Sequence, residues 1–455
     1  MAFVVVNPAT GETLKTYEHH SPEAVAQTLE AASAAQRAWR RTTFEERAKH
    51  MRAAAAILRE RVEPYAKLMT MEMGKPIREA RGEVQKCALV CDFYADQAES
   101  MLARRVIETD ARESYIAHRP LGVVLAIMPW NYPLWQVFRF LAPALMAGNG
   151  GILKHASNVP GCAEAVEAVV RDAGFPNDLF VSLRVDTAAV ASIIEHPAIA
   201  AVTLTGSTPA GRAVAAKAGS MLKKVVLELG GSDPYVVLED ADIALAAKVC
   251  ATSRLLNSGQ SCIAAKRYVV VDAVHDTFVE AVQAEFEARV MGDPLDEATD
   301  IGPQARFDLR DALHNQVERS IAAGARLLVG GTLPDSPGAF YPATLLAHVG
   351  PGIPAYEEEL FGPVGSIIRA KDEADAIRIA NDTPFGLGAC VMTADLERGR
   401  RIAEEELEAG CCFVNAFVRS DPRLPFGGIR DSGYGRELSD LGILEFVNQK
   451  TVYIA

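Results

Sequence analysis

Between residues 121 and 229 the chain alternates short apolar runs with helical patterns. The strand "LGVVLAIMP" is followed by a helix, "PLWQVFRFLAPALMAG", that Gly148 closes. The strands "GILKHA", "LFVSL", "AAVTLTG" and "KVVLEL" follow, with a helical pattern between each and the next. This alternation requires right-handed crossovers, so it predicts a parallel sheet with helices on both faces.

The flanking regions extend this pattern into an α/β chain of more than one domain. Residues 22–105 are rich in alanine and amphipathic, which predicts helices. A second α/β series begins at "PYVVLED" and continues through "RYVVVD" and the helix "DTFVEAVQAEFEARV". We expect a boundary near Glu228–Asp233, where "ELGGSD" interrupts the rhythm.

Composition excludes several classes of function. A net charge of −13 disfavours nucleic acid and anionic membrane as partners, since both would repel the chain. No apolar run reaches the roughly 18 residues that span a bilayer, and the N-terminus does not resemble a signal peptide. The eight cysteines show neither metal-ligand spacing nor a disulfide framework, so we expect no metal and a reducing, cytoplasmic setting.

Chemistry-bearing residues follow four of the predicted strands, at the edge where such sheets bind ligands. These strand ends carry Asn131 in "WNYP", Lys154, the turn "TGSTPAG" and Glu228 in "ELGG". The turn opens a helix that suits a phosphate, but it fits neither the dinucleotide glycine pattern nor the P-loop, where Arg212 replaces the lysine. Taken singly, each has a plain structural interpretation: a turn former, a solvated lysine, a helix cap or a capping carboxylate.

The same ambiguity holds for Cys262 in "LLNSGQSCIAAKRY", which by itself reads as a buried structural thiol. The order of motifs removes much of that ambiguity. Seven motifs occur in the order and approximate spacing of the aldehyde dehydrogenase superfamily: "PWNYP", "ILKHAS", "LTGSTPAG", "LELGG", "GQSC", "EELFGPV" and "PFGGIRDSGYGRE". The chain resembles this superfamily over nearly its whole length, and within it the bacterial succinate-semialdehyde dehydrogenases.

The resemblance implies an aldehyde dehydrogenase fold with three parts. These are a Rossmann-type dinucleotide-binding domain, an α/β catalytic domain and a β bridging arm. The predicted ranges are 1–110 and 128–228 for the first, 229–435 for the second, and 111–127 with 436–455 for the arm. An arm that adds strands across a subunit interface implies a homodimer or homotetramer.

The resemblance also assigns catalytic roles. Cys262 becomes the nucleophile, because a thiolate can both attack an aldehyde and leave from a thioester. The Asn131 amide and the Cys262 backbone N–H would hold the oxyanion. Glu228 matches the general base that activates water.

Positions that match the family's cofactor site imply NADP and NAD as cofactors. Lys154 corresponds to a ribose contact, and Ser157 stands where many NAD-preferring relatives carry glutamate, which would repel a 2′-phosphate. His155 replaces a more usual proline. The full implied cofactor set is Trp130, Lys154, Ser157, Gly206, Ser207, Gly211, Leu229, Glu359 and Phe361.

Substrate selection is predicted to depend on Arg139, the one charged residue in the apolar stretch "YPLWQVFRFLAPALMA". A guanidinium on such an apolar helix needs an anion or water, and its bidentate geometry suits a carboxylate. The pattern also leaves open an internal salt bridge or a surface arginine whose charge reaches water. The resemblance implies a small anionic aldehyde as substrate, with Arg139 holding its carboxylate. Other residues implied at this site are Gln136, Ser261, Arg419, Ser420 and Phe426.

The sequence thus predicts oxidation of succinic semialdehyde to succinate with NAD(P). Glutarate semialdehyde or an aliphatic aldehyde remains an alternative substrate. A CoA-acylating relative, a non-catalytic relative and a cysteine hydrolase are less favoured, because Cys262, Glu228, Asn131 and Lys154 are all present.

Overall fold

A computed structural model describes residues 2–455. Its strands, in chain order, are β1 (Ala2–Val6), β2 (Thr13–Glu18), β3 (Arg105–Val106), β4 (Glu113–Pro120), β5 (Val123–Met128), β6 (Gly150–His155), β7 (Phe180–Ser182), β8 (Ile199–Thr205), β9 (Lys224–Glu228), β10 (Asp233–Val237), β11 (Ala265–Val271), β12 (Arg326–Val329), β13 (Thr344–Ala347), β14 (Val364–Ala370), β15 (Gly388–Met392), β16 (Cys411–Val414), β17 (Gly433–Tyr434) and β18 (Val447–Ile454).

The helices lie between these strands and before them. In chain order they are α1 (Pro22–Trp39), α2 (Phe44–Glu60), α3 (Val62–Met73), α4 (Ile77–Met101), α5 (Trp135–Ala147), α6 (Pro160–Asp172), α7 (Val190–Glu195), α8 (Thr208–Ser220), α9 (Ile243–Leu255), α10 (His275–Glu287), α11 (Phe307–Ala322), α12 (Pro354–Glu357), α13 (Glu373–Asn381), α14 (Leu396–Arg401) and α15 (Ser439–Leu444).

The first large sheet has six strands in the order β17-β9-β8-β5-β6-β7, parallel except for β17. Its strand order reverses at β5, since β6 lies on one side of it and β8 on the other. Helix α5 ends where Gly148 adopts a left-handed φ of 94°, as predicted. The reversal opens a crevice at the carboxyl ends of β5 and β8, where sheets of this kind bind ligands.

Both faces of this sheet are covered, because alternate side chains of a strand point to opposite faces. Val124, Ala126 and Met128 of β5 pack into the core formed with α2 to α6. Val123 and Leu125 pack into the core formed with α1, α7 and α8. The predicted layering is therefore present, and the first sheet rests between two hydrophobic cores.

The chain leaves the first sheet after Glu228 and enters the second at Asp233. The second sheet has the order β12-β13-β14-β11-β10-β15-β16 and is parallel except for β12. Strand β17 returns to the first sheet from Gly433–Tyr434, which lies within the predicted catalytic range 229–435, so the two sheets do not divide the chain at a single point.

A third sheet contains β18, β4 and β3, with β18 paired along the whole of β4. The predicted arm range 111–127 extends too far, because β5 pairs with β6 and β8 from Val123 onward. Helix α15, in the range 436–455, packs on α4 and α5. No helix of residues 2–455 is long and apolar enough to cross a membrane.

Candidate active site

Cys262 follows a tight backbone loop that begins where α9 ends. Asn257, Ser258 and Gly259 have left-handed φ values of 54°, 52° and 75°, a conformation that costs free energy for the two non-glycine residues. A Cβ at Gly259 would lie 2.2 Å from the carbonyl carbon of Gly362, so only glycine fits there. Side chains hold the loop: Glu79 accepts from the Asn257 N–H at 2.6 Å, and Arg254 donates to the Gly259 carbonyl.

Asn131 lies beside this loop. Its Nδ2 donates to the Gln260 carbonyl at 3.0 Å, and Asn257 Nδ2 donates to the Asn131 carbonyl at 2.7 Å. The second N–H of the Asn131 amide remains for a ligand. These bonds connect the end of β5 to the loop before Cys262, so the predicted oxyanion donor and the nucleophile are neighbours.

His155 forms hydrogen bonds next to the turn that contains Asn131. Its Nδ1 accepts from the Ala156 N–H at 2.8 Å, so the proton resides on Nε2, which donates to the Pro133 carbonyl at 2.8 Å. Burial lowers the pKa of His155 to about 4 and keeps it neutral. The histidine that replaces the usual proline therefore connects β6 to the "WNYP" turn.

Two cavities meet at Cys262. The strand-end cavity, of about 270 Å³, lies at the carboxyl ends of β5, β8 and β9. Its lining consists of Pro129, Trp130, Asn131, Gln136, Thr205, Gly206, Ser207, Leu229, Gly230, Cys262, Leu309, Glu359 and Phe361.

The helix cavity, of about 280 Å³, lies between α4, α5 and the loop at 417–426. Its lining consists of Glu79, Gly82, Glu83, Lys86, Tyr132, Trp135, Gln136, Arg139, Ser253, Leu256, Ser261, Cys262, Ile263, Phe417, Val418, Arg419, Ser420 and Phe426. Cys262 and Gln136 contribute to both linings, so the two cavities adjoin at these residues.

Burial raises the pKa of the Cys262 thiol to about 12, although the nearby cations Lys266 and Arg139 act in the opposite direction. The thiol is therefore protonated in this arrangement. Nucleophilic attack requires a base to remove that proton.

Glu228 lines neither cavity. Its carboxylate is 2% exposed and has no hydrogen-bond partner among residues 2–455, and a Cβ at Gly427 would lie 2.7 Å from Glu228 Oε1. Burial, followed by the nearby Glu437, raises the pKa of Glu228 well above its usual range. The predicted base thus carries a proton in this position.

Arg139 is fully buried and forms an ion pair with Glu437. It also donates to Thr205 Oγ1 at 3.3 Å and lies 4.8 Å from the Phe426 ring centroid. The structure therefore contains the internal salt bridge that the sequence left open. Arg139 still lines the helix cavity, as do Gln136, Ser261, Ser420 and Phe426 from the predicted substrate set.

Lys266 forms hydrogen bonds with the main chain at Cys262. Its Nζ donates to the carbonyls of Ser261 and Cys262 at 2.9 and 2.7 Å and lies 3.2 Å from Glu359. Glu359 also accepts from the Gly231 N–H at 3.1 Å. One buried lysine thus couples the nucleophile loop to the carboxylate at the strand-end cavity.

The predicted cofactor residues divide into two groups. Trp130, Gly206, Ser207, Leu229, Glu359 and Phe361 line the strand-end cavity. Gly211 lies in the first turns of α8, where a Cβ would be 2.5 Å from Leu229, so glycine lets the helix approach β9 closely. Lys154 and the exposed Ser157 lie outside the cavity lining, at the end of β6.

The strand-end cavity and the start of α8 together suit a dinucleotide cofactor. The start of α8 offers N–H groups to phosphates beside Gly206 and Ser207. From there the strand-end cavity continues to Cys262, so a dinucleotide held by its phosphates at the start of α8 would extend toward the thiol. No cluster of His, Cys, Asp or Glu in residues 2–455 has the geometry of a metal site, and all eight cysteines are free.

The model of the aldehyde dehydrogenase family matches residues 1–452. The chain belongs to the aldehyde dehydrogenase family. The predicted family, fold class and enzyme class are thereby confirmed.

Individual relatives within the family are similar over their whole length. The chain is 50% identical to a probable succinate-semialdehyde dehydrogenase [NADP(+)] of Synechocystis sp., with complete coverage of both. It is 47% identical to a succinate semialdehyde dehydrogenase [NAD(P)+] of Escherichia coli, covering 99% of this chain and 97% of that one. A solved succinic semialdehyde dehydrogenase of Streptococcus pyogenes, in complex with NADP+, has a TM-score of 0.97 at 38% identity over the full length of both.

Sequence reasoning missed four residues of this aldehyde dehydrogenase. Glu437 ends the motif "PFGGIRDSGYGRE" and His155 follows Lys154 in "ILKHAS", but neither motif indicates the contact that the side chain makes. Lys266 gives the clearest signal in the sequence. It lies beside Arg267 in the apolar strand "AAKRYVVV", and a charge in such a strand needs buried partners. Lys86 resembled any lysine on an amphipathic helix.

Proposed function

We propose that this enzyme oxidises succinic semialdehyde to succinate, with NADP and NAD as hydride acceptors. The observation that carries the proposal is the position of Cys262 between a strand-end cavity suited to a dinucleotide and a helix cavity that contains basic side chains. The names of the similar enzymes from Synechocystis and E. coli support the same substrate.

In the proposed reaction the aldehyde enters the helix cavity and the Cys262 sulfur bonds to its carbonyl carbon. The thiol proton leaves to solvent water, and the oxyanion accepts hydrogen bonds from the Asn131 amide and the Cys262 N–H. The cofactor supplies a hydride acceptor, so loss of hydride leaves a thioester on Cys262. Water then cleaves the thioester, and the balance is one aldehyde, one NAD(P)+ and one water converted to carboxylate, NAD(P)H and two protons.

Glu228 serves as the base for thioester hydrolysis in this proposal, after its side chain changes position. Buried beside Glu437, it holds a proton. Rotation toward the strand-end cavity would bring its carboxyl into contact with water, lower its pKa and allow it to accept the proton of the attacking water.

Steady-state turnover of purified protein tests the proposal. We expect reduced nicotinamide and succinate to form in equal amounts from succinic semialdehyde without CoA, and Cys262→Ser to remove the activity. Greater kcat/KM with glutarate semialdehyde or butanal would contradict the substrate, and a requirement for CoA would contradict the hydrolytic step.

We also propose self-association through the arm. Strand β18 lies at the edge of its sheet and exposes Tyr453 and Ile454, and an unpaired edge of this length favours pairing with another chain. Light scattering during size exclusion should give a dimer or tetramer, and a monomer at micromolar concentration would contradict it.

A further inference from the structure

The helix cavity contains a second cation, the partly buried Lys86, which forms no ion pair within residues 2–455. Its Nζ donates to Ser420 Oγ at 2.6 Å and lies 4.2 Å from the Trp135 ring centroid. Among residues 2–455 it has no ion-pair partner. An ammonium partly withdrawn from water and lacking an ion pair is stabilised by an added anion, so the arrangement suits an anionic ligand.

The nearest candidates for a counter-ion are already engaged. Glu83, on the same helix α4, pairs with Lys75 and accepts from the N–H groups of Leu134 and Trp135 at 2.9 Å. Asp421, which follows Ser420, is bound by Arg423 at 2.7 Å. Glu79 is occupied by the N–H of Asn257.

Arg139 differs from Lys86 in this respect. Its guanidinium already has Glu437 as an internal anion, and both side chains are buried. A substrate carboxylate at Arg139 would compete with Glu437, whereas one at Lys86 would meet a charge without a partner. Arg419, the third cation of this cavity, is exposed, so water already stabilises its charge.

Burial lowers the pKa of Lys86 to about 8, with Arg139 as the next cause. Glu83, Cys87 and Asp421 act in the opposite direction. Lys86 is therefore mainly charged at neutral pH and loses its charge under mildly alkaline conditions.

We propose that Lys86, oriented by Ser420 and Trp135, binds the carboxylate of the substrate. Arg139, which is paired with Glu437, contributes a second positive charge to the same cavity. The proposal rests on the proposed function, since it presupposes an aldehyde that carries a carboxylate. It makes Lys86 a determinant of specificity in the same cavity that Cys262 lines.

Lys86→Met tests the proposal, with succinic semialdehyde and the uncharged four-carbon butanal as substrates. We expect kcat/KM for succinic semialdehyde to fall by about 100-fold, the order expected for loss of a charged hydrogen bond, mainly through KM. Turnover of butanal should change by less than about threefold, which also shows that the variant is folded. Lys86→Arg should recover part of the loss, and Lys67→Met, which removes an exposed lysine of α3 that does not line the cavity, should change the turnover of neither substrate.

The pH profile gives a readout that a structural role would not produce. In the wild type, KM for succinic semialdehyde should rise above a pH of about 8 as Lys86 loses its proton, while KM for butanal stays level. In Lys86→Arg that rise should disappear.

The outcomes separate the two proposals. A wild type that does not prefer succinic semialdehyde to butanal contradicts the proposed function. A wild-type preference that Lys86→Met retains, or an equal loss for both aldehydes, leaves that function standing and overturns the role of Lys86.

Discussion

The two cavities that meet at Cys262 are built in different ways. The strand-end cavity consists largely of residues that follow β5, β8 and β9, and it combines small residues such as Gly206 and Ser207 with the larger Trp130. The helix cavity is formed by side chains from α4, α5 and the loop at 417–426, which are far apart in sequence. A cofactor site can therefore stay constant while long side chains on the opposite side of one thiol determine which aldehyde reacts.

Arg139→Met tests which part of the helix cavity is structural, and it has the largest expected effect. Removal of the guanidinium leaves Glu437 buried without its partner, so the free energy of unfolding should fall by about 3 kcal/mol. Activity should fall for charged and uncharged aldehydes alike, and denaturant unfolding with two-substrate kinetics measures both.

The double variant Arg139→Met, Glu437→Gln is the matched control, because it removes both charges and should recover part of the stability. A loss confined to succinic semialdehyde, with stability intact, would instead support the sequence prediction that Arg139 holds the substrate.

His155→Gln tests the support behind the strand-end cavity. His155 has a pKa of about 4 in the folded chain and an ordinary value near 6.5 when unfolded. Above pH 6.5 both states are neutral; as pH falls toward 4 the unfolded state takes up a proton that the folded state excludes, so stability falls. Between pH 7 and 5 the wild type should lose about 2 kcal/mol more than the variant.

Glutamine keeps a donor for the Pro133 carbonyl but does not titrate, so the difference between the two pH slopes isolates His155. Parallel slopes would show that His155 does not control this pH dependence. Chemical unfolding at both pH values supplies the measurement.

Ser157→Glu tests the cofactor side alone and has the smallest expected effect. A carboxylate at this exposed position should repel the 2′-phosphate of NADP and lower kcat/KM for NADP by about 10- to 100-fold. Use of NAD should be retained, with Ser157→Gln as the uncharged control. Relative rates with succinic semialdehyde and butanal should not change, and a shift in that ratio would break the separation between the two cavities.

The same contrast explains what the sequence could predict. Strand ends and glycine turns are local features, so Asn131, Gly206 and Leu229 could be assigned from short motifs, and the structure places all three at the strand-end cavity. The alternation of strands and helices also predicted the layered parallel sheet.

The helix cavity was less accessible to such reasoning. Lys86 is one of many charged residues on α4, and only the packing of α4 against α5 and Ser420 distinguishes it from a solvated lysine. The partner of Arg139 lies 298 residues further along the chain, at Glu437. No local pattern reveals such a pairing, because it depends on how β17 and the following loop return to the first sheet. The roles of Cys262 and Glu228 stay predictions.

A trapping experiment tests the central claim that Cys262 joins the two cavities in one reaction. Glu228→Gln should still transfer hydride but release product slowly, because the base for thioester cleavage is absent. Mixed with succinic semialdehyde and NADP+, it should give a burst of one NADPH per site and a succinyl group on the peptide that contains Cys262, read by mass spectrometry. A burst with no acyl group, or an acyl group on Cys411 in place of Cys262, would contradict the account.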